Sequence, residues 1–388
     1  MASDMNHLRG KTAVVGVAAW GCGEQPGWNS LEIMGQNARM ALADAGLSLG
    51  DVDGLWAATA VHAMPSMSLA EHLGIVPTYS SGSNIGGSSF MSHVLDAAIQ
   101  LDAGLIDVAL IAYGSNQRTA GGFRSASEPM PFEAQYEIRN PINAYAMAAA
   151  RYMHEFGAGR EHLAEVAVAA RAWASQNPEA FTRDPITVDD VLSARMISDP
   201  LGKLDCCLVT DGGGAIVMVR ADRARDLAGD HAKPVYLLGA GMAHDHRMIS
   251  EMPDLTTTCA VQAGQRAFAM AGMGPADMKT VQLYDAFTIN TILFLEDLGF
   301  CAKGEGKDFV GGGHIAPGGG LPVNTNGGGL SCVHPGMYGL FVLIEAIRQT
   351  RGDAPGQQIP DATVSLAHGN GGVLSSQVTT IWGTADAL

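Results

Sequence analysis

Residues 108–114, Val108-Ala-Leu-Ile-Ala-Tyr-Gly114, carry no charge and no apolar–polar alternation. A strand that is apolar on both sides has to be covered on both faces, as in a largely parallel sheet lying between helices; a sheet with one wet face would alternate instead. The preceding residues keep to that arrangement. Lys11–Trp20 reads as a buried strand, Leu31–Gly46 as an amphipathic helix and 52–58 as a second strand. Met67–Leu73 then reads as a short helix, Ser80–Ser88 as a Gly/Ser-rich turn and Ser89–Leu101 as a helix rich in small residues. The expected fold class is α/β.

From Ser115 to about Pro200 the texture changes to polar loops, prolines and two helical stretches, around Ala144–Phe156 and Leu163–Gln176, with little strand pattern. We read this as a cap or loop insertion over about 115–200. Strand character returns at Ala215–Arg220 and Val235–Gly239, and the charged stretch between them marks a boundary between halves 1–225 and 226–388. The second half repeats the order of the first. It has a strand (Val281–Tyr284), a helix (Phe287–Leu298), a Gly-rich turn, a helix (Tyr338–Arg351), a strand (Ala362–Ala367) and a last Gly-rich turn. A chain of 388 residues is long for a single core, so two related halves are expected.

Charge and cysteine usage narrow the function classes. A formal net charge of -16 with no basic stripe argues against phosphate-backbone binding. The six cysteines show neither a CxxC pair nor a metal-ligand rhythm, which speaks against zinc and against a disulfide framework. The N-terminus lacks the basic and apolar regions of a signal peptide, and no uncharged run reaches the roughly 18 residues of a membrane span. A cytoplasmic enzyme is the expectation, and the low charged fraction of 16% favours an oligomer.

Candidate chemistry gathers near the end of the chain, in Asn324-Thr-Asn-Gly-Gly-Gly-Leu-Ser-Cys-Val-His334-Pro-Gly-Met-Tyr338-Gly and His368-Gly-Asn370-Gly-Gly. Glycines let backbone amides come close to a ligand, and each histidine brings a group that titrates near neutrality. Asp285 should point away from its neighbour Tyr284 if the strand persists, which makes it structural. Cys206 and Cys207 read as small buried hydrophobes.

Taken in order, several stretches resemble the thiolase superfamily, in its branch related to the sterol-carrier-protein thiolases. They are Asp53-Gly-Leu, Leu69-Ala-Glu-His-Leu-Gly74-Ile, the helix after Gly86-Gly-Ser-Ser, Ala103-Gly-Leu-Ile-Asp-Val-Ala-Leu-Ile, Thr210-Asp-Gly, Tyr284-Asp-Ala-Phe-Thr, the His334-Pro loop and the last Gly-rich loop. The resemblance implies two similar α/β halves in a five-layered α-β-α-β-α fold. It also implies that the family's nucleophilic cysteine, at the N-terminus of a buried helix, is matched here by Gly87. The family's acid–base cysteine is matched by His368, and the asparagine of its Asn-Glu-Ala-Phe loop by Tyr284; His334 keeps the family's residue.

Without the cysteine, the set resembles the thiolase-like aldolases of bacterial steroid side-chain degradation. That implies retro-aldol cleavage of a β-hydroxyacyl-CoA, with a steroid side-chain thioester as the expected substrate, to a ketone and a short acyl-CoA such as propionyl-CoA. Such a reaction needs a base for the hydroxyl proton, a stabilised thioester enolate and a proton for the enolate carbon, but no covalent nucleophile. On this reading Tyr284 or Tyr338 is the base, His334 the relay or enolate-oxygen donor, and His368 the group that handles the carbon proton. Gly87, Ser88, Asn116, Asn370 and Gly371 are expected to bind the substrate or its oxyanion. The resemblance further implies a CoA thioester as substrate with no covalently bound cofactor or metal, and a homodimer joined by a zinc-ribbon and OB-fold partner in a heterotetramer. Two alternatives stand beside it, a cysteine-independent acyltransferase and a non-catalytic subunit.

Overall fold

The computed structural model describes residues 5–121, 130, 132–227 and 233–388. The first half begins with β1 (Thr12–Gly23), α1 (Ser30–Asp44), β2 (Gly54–Ala57), α2 (Pro65–Leu73), β3 (Tyr79–Ser81), α3 (Ser89–Asp102) and β4 (Val108–Ser115). Then come α4 (Ile142–Phe156), α5 (Arg160–Ser175), α6 (Val188–Ser193), a hairpin of β5 (Met196–Ser198) and β6 (Leu201–Gly202), β7 (Asp211–Arg220) and α7 (Ala221–Leu227). The second half has β8 (Val235–His244), α8 (Ala260–Ala271), β9 (Thr280–Leu283), α9 (Thr288–Asp297), α10 (Gly306–Phe309), α11 (Gly339–Arg351), β10 (Val364–Gly371) and β11 (Ser376–Gly383). The expected cap lies outside the described residues at 122–129 and 131, as does part of the charged linker at 228–232.

β4, the uncharged run, pairs in parallel with β2 and antiparallel with β7, and every one of its residues is buried. The strand order is β3-β2-β4-β7-β1 in the first half and β8-β11-β10-β9 in the second. Two residue pairs, Ala13 with Tyr236 and Val14 with Val235, join them edge to edge. The halves correspond strand by strand. β1 and β8 both lie antiparallel to their neighbours, β4 and β10 each pair in parallel with the strand outside them, and a single parallel bridge from Val281 to Val323 stands where β3 stands in the first half.

Five layers follow from what the helices touch. α1 covers the outer face of β1, β4 and β7, and α8 that of β8 and β11. Between the sheets lie α3 and α11, touching each other and strands of both halves. α11 is buried along its whole length apart from the half-buried Arg348, and its polar residues Glu345 and Gln349 are satisfied internally by the Thr325 hydroxyl and by each other. The N-terminus of α1 is closed by Asn29, whose Oδ1 accepts from the amides of Leu31 and Glu32 while Glu32 accepts from the Asn29 amide.

Two expectations about local structure need correction. His368-Gly-Asn370-Gly is not a turn but the end of β10, paired residue for residue with β11, a strand that the sequence reading did not find. In sequence the glycines read as loop punctuation, yet a strand buried between two neighbours and a central helix tolerates them where the backbones must approach closely. The expected turn at Ser80–Ser88 likewise overlaps the short edge strand β3, which ends at Ser81.

Candidate active site

The cavity lies where the N-terminus of α3 meets the ends of β9 and β10. It measures about 130 Å³ and is lined by Gly86, Gly87, Pro141, Tyr145, Cys207, Tyr284, Ala286, Phe287, His334, Gly336, Asn370, Gly371 and Gly372. That volume is below the several hundred Å³ of a pocket that encloses a whole drug-sized ligand, so it suits the reacting end of a larger molecule.

Tyr284 follows the last residue of β9, and its amide donates to the His368 carbonyl at 3.0 Å, extending the parallel pairing by one residue. Its phenol oxygen lies 3.1 Å from His334 Nε2 and accepts from the Tyr338 amide at 3.2 Å. Tyr284 and His334 meet edge to face, with ring centroids 5.7 Å apart. Burial pushes the phenol well above its ordinary value and holds the imidazole down at about 4. Both are therefore neutral at rest, a phenol O–H facing an imidazole nitrogen.

His334 reaches this place through a turn over Gly328–Cys332. Asp285, completely buried, accepts there from the Gly329 amide at 2.6 Å and the Leu330 amide at 3.4 Å. The His334 amide donates to Thr210 Oγ1 at 3.1 Å, and Tyr113, at the end of β4, receives the Met337 amide at 3.1 Å and donates to the Pro335 carbonyl. Asp285 thus lies off the cavity and holds the loop that carries the histidine.

Gly87 carries the sharpest steric fact in the site. A Cβ on it would fall 1.9 Å from Cε2 of Tyr284, far inside contact distance. The Tyr284 ring occupies the space that a side chain at position 87 would need, so a tyrosine at 284 and a cysteine at 87 exclude each other. The two glycine loops are pressed together as closely, since a Cβ on Gly371 would lie 1.6 Å from the Ile85 carbonyl oxygen.

Tyr284, His334, Gly87, Asn370 and Gly371 are therefore brought to one cavity, and four other expected residues are not. Tyr338 does not line it: its hydroxyl donates to Asn326 Oδ1 at 3.0 Å, and its ring backs those of Tyr284 and His334. The Ser88 hydroxyl is engaged by the Ile85 carbonyl and by Ser376 Oγ at 2.6 Å, on the far side of the loop. Asn116 donates to the Trp28 carbonyl at 3.0 Å. His368 sits inside the sheet with no exposure, Nδ1 2.8 Å from Thr379 Oγ1 and Nε2 2.9 Å from Gln377 Oε1, its ring edge-on to Phe294. In a strand successive side chains alternate, so His368 and Asn370 share a face, but the histidine lies deeper, behind Gln377.

The sequence reading missed Tyr145, Phe287 and Gly336, and took Cys207 for core. Tyr145 sits on α4 among Ala144, Ala148, Ala149 and Tyr152, all buried, so its spacing is that of a packing residue. Cys207 lines the cavity, but burial pushes its thiol far above the ordinary value, which disfavours the thiolate a nucleophile requires.

Burial holds the His368 imidazole near 4, against an ordinary 6.5, so it stays neutral where an unfolded histidine would already be charged. The unfolded chain then binds more protons below pH 6.5, and stability falls on acidification toward pH 4. At pH 5 the loss traceable to this ring is about 2 kcal/mol relative to pH 7. Urea unfolding at both pH values should show the wild type losing about that much more than His368→Asn; the buried carboxyls act the other way equally in both proteins. Equal losses would mean that the ring is charged in the native state.

Comparison with known proteins agrees with this architecture. The family model described as "Thiolase C-terminal domain-like" matches residues 241–384. A 17-hydroxy-3-oxo-4-pregnene-20-carboxyl-CoA lyase of Mycobacterium tuberculosis is 37% identical over 365 residues, 89% of this chain and 92% of that protein. A steroid side-chain-cleaving aldolase of Thermomonospora curvata is 35% identical over 387 residues, 95% of this chain and 97% of its own. Among solved structures, the Ltp2-ChsH2(DUF35) aldolase superposes with a TM-score of 0.88 at 34% identity, covering 97% of this chain and 98% of that one. Human mitochondrial 3-ketoacyl-CoA thiolase, at 14% identity and a TM-score of 0.72, shares the fold. The chain belongs to the thiolase superfamily, in the branch that places side-chain-cleaving aldolases beside the sterol-carrier-protein thiolases.

Proposed function

We propose that this protein is a carbon–carbon lyase that cleaves a β-hydroxyacyl-CoA by a retro-aldol reaction, with a steroid side-chain CoA thioester as substrate. The observation that carries the reading is the contact of the Tyr284 phenol with His334 Nε2 at 3.1 Å, in a cavity where the Tyr284 ring fills the place a nucleophile at position 87 would take. Tyr284 takes the proton of the β-hydroxyl as its own proton passes to His334 Nε2, so that no free phenolate has to form in a buried site. The Cα–Cβ bond breaks, the β-carbon leaves as a ketone, and the electron pair moves into the thioester as an enolate near the N-terminus of α3, whose dipole favours negative charge. The protonated His334–Tyr284 pair returns a proton to Cα. The proton taken from the hydroxyl is thereby returned to carbon, and no co-reactant is consumed.

His368 has no part in these steps, because both of its ring nitrogens are already engaged inside the sheet. The small cavity leaves the steroid rings and the CoA outside the reacting centre. The likeness to the Ltp2-ChsH2(DUF35) aldolase supports a DUF35-type partner. A homodimer of this chain at the centre of that assembly and a cytoplasmic location belong to the same proposal.

The test is incubation of the chain, with such a partner present, with the 17-hydroxy steroid CoA thioester named for the M. tuberculosis relative, followed by mass spectrometry. A steroid ketone and a short acyl-CoA are expected. Acyl exchange without ketone would select the acyltransferase reading. Cys207→Ala should keep the cleavage rate within about threefold, whereas a hundredfold loss would restore a nucleophilic role for that thiol.

A further inference from the structure

The part of the cavity wall made by Tyr145 and Asn370 ends a chain of hydrogen bonds whose direction is fixed by its chemistry. The main-chain oxygen of Leu374 can only accept, so the Gln377 side chain, 3.1 Å away, turns its NH₂ toward it. The same nitrogen lies 2.9 Å from Asn370 Oδ1 and donates there as well. With its oxygen so engaged, Asn370 presents Nδ2 to the Tyr145 hydroxyl at 2.7 Å. The oxygen of Tyr145 is thus the acceptor in that bond, and its own hydrogen has to go elsewhere. The Gly372 carbonyl lies 3.3 Å away, long for a bond from a hydroxyl.

On the inner side, Gln377 Oε1 accepts from His368 Nε2, which leaves Nδ1 to accept from Thr379. Thr379, His368, Gln377, Asn370 and Tyr145 therefore each donate to the next, ending at a phenol on the cavity wall. Links aligned in this way polarise one another. The ring of Tyr145 is held against Phe287, centroids 4.5 Å apart, on the same cavity as Tyr284.

The two phenols differ in what they face. Tyr284 faces a neutral imidazole nitrogen that can take a proton, and Tyr145 faces an amide N–H that cannot. Burial keeps the Tyr145 phenol near 12, so it remains an O–H donor throughout the working range. Environment thereby separates like groups into base and acid.

We propose that Tyr145 is a catalytic residue whose O–H donates to the thioester oxygen as that oxygen takes up the enolate charge, and that Asn370, Gln377 and His368 are positioning residues that hold it as a donor. This rests on the retro-aldol reading given above.

The test compares kcat and KM of wild type, Tyr145→Phe, Asn370→Asp and the double variant on the 17-hydroxy steroid CoA thioester, in the active assembly. Losing one donor to a developing oxyanion lowers kcat about 10²-fold with KM within about threefold. Asn370→Asp keeps shape but offers the phenol a carboxylate to donate to, drawing its hydrogen away from the cavity. A comparable loss of kcat is expected, and the double variant should be no slower than the slower single one. The inference is overturned if wild type cleaves and Tyr145→Phe keeps kcat within threefold, or if the two losses simply multiply. Absence of cleavage by wild type in the complete assembly would instead sink the retro-aldol reading, and the role of Tyr145 with it. Asn370→Asp, which removes no packing volume, keeps the comparison available should Tyr145→Phe fold poorly.

Discussion

Tyr284→Phe is expected to lower kcat for ketone release by about 10³-fold or more while leaving the protein folded. The substitution removes one oxygen, which meets His334 Nε2 at 3.1 Å and receives the Tyr338 amide at 3.2 Å. Without it the hydroxyl proton of the substrate loses its relay to the imidazole, whose Nε2 lies 3.1 Å beyond the phenol oxygen. Burial leaves both groups neutral, so neither has a charge that could compensate at longer range. Tyr338→Phe is the informative contrast. Its hydroxyl bonds Asn326 away from the cavity, so the expected cost is about 1 kcal/mol of stability and less than a fivefold change in rate. Steady-state rates and thermal unfolding of both variants check the pair of outcomes, and the reverse order of activities would move the base to Tyr338.

Gly87→Cys should lower the cleavage rate about 10²-fold without creating a thiolase. The new Cβ would stand 1.9 Å from Cε2 of Tyr284, and Gly87 is packed so tightly that its carbonyl oxygen already lies 1.9 Å from where a Cβ on Gly339 would be. The tyrosine ring must then move by an ångström or more. A displacement of that size at a reacting group costs about 10²-fold in rate, and overpacking a core costs about 1–3 kcal/mol. Gly87→Ala should show the same loss, which makes the effect steric and not a property of sulfur. Combining Gly87→Cys with Tyr284→Asn removes the ring and should recover most of the lost stability, because the three atoms nearest to the new Cβ all belong to Tyr284. Cleavage by Gly87→Ala at near the wild-type rate would refute the claim that the ring and a side chain at 87 compete for one space.

The physical reason for what was legible in the chain is locality. The buried character of β4 is written in its own seven apolar residues, and the capped amphipathic α1 in its own spacing. The order of strands and helices repeats twice because each half solves the same packing problem. The glycine at 87 and the tyrosine at 284 are also visible in the sequence, but only as a departure from a pattern. What the chain does not state is that they touch, since contacts between residues nearly 200 positions apart depend on how two sheets close around α3 and α11.

The same limit explains the misplaced residues. His368 looks like a site histidine because it stands among glycines, yet the pairing of β10 with β11 turns those glycines into strand and consumes both ring nitrogens. Tyr338 looks like a second phenol for the site because it is four residues from His334, yet the loop carries its hydroxyl back to Asn326. Tyr145 gives the opposite lesson. Alone on an alanine-rich helix it reads as packing, and only the approach of Asn370 from β10 makes its hydroxyl a directed donor. By itself the sequence determined the α/β class, the repeated halves and the absence of a cysteine at the N-terminus of α3, all of them carried by local pattern. The tertiary structure alone decided which tyrosine faces the imidazole, which histidine is held out of the cavity and which side chain fills the cysteine's space. Those outcomes turn on ångström-scale contacts between distant segments, which no local pattern contains.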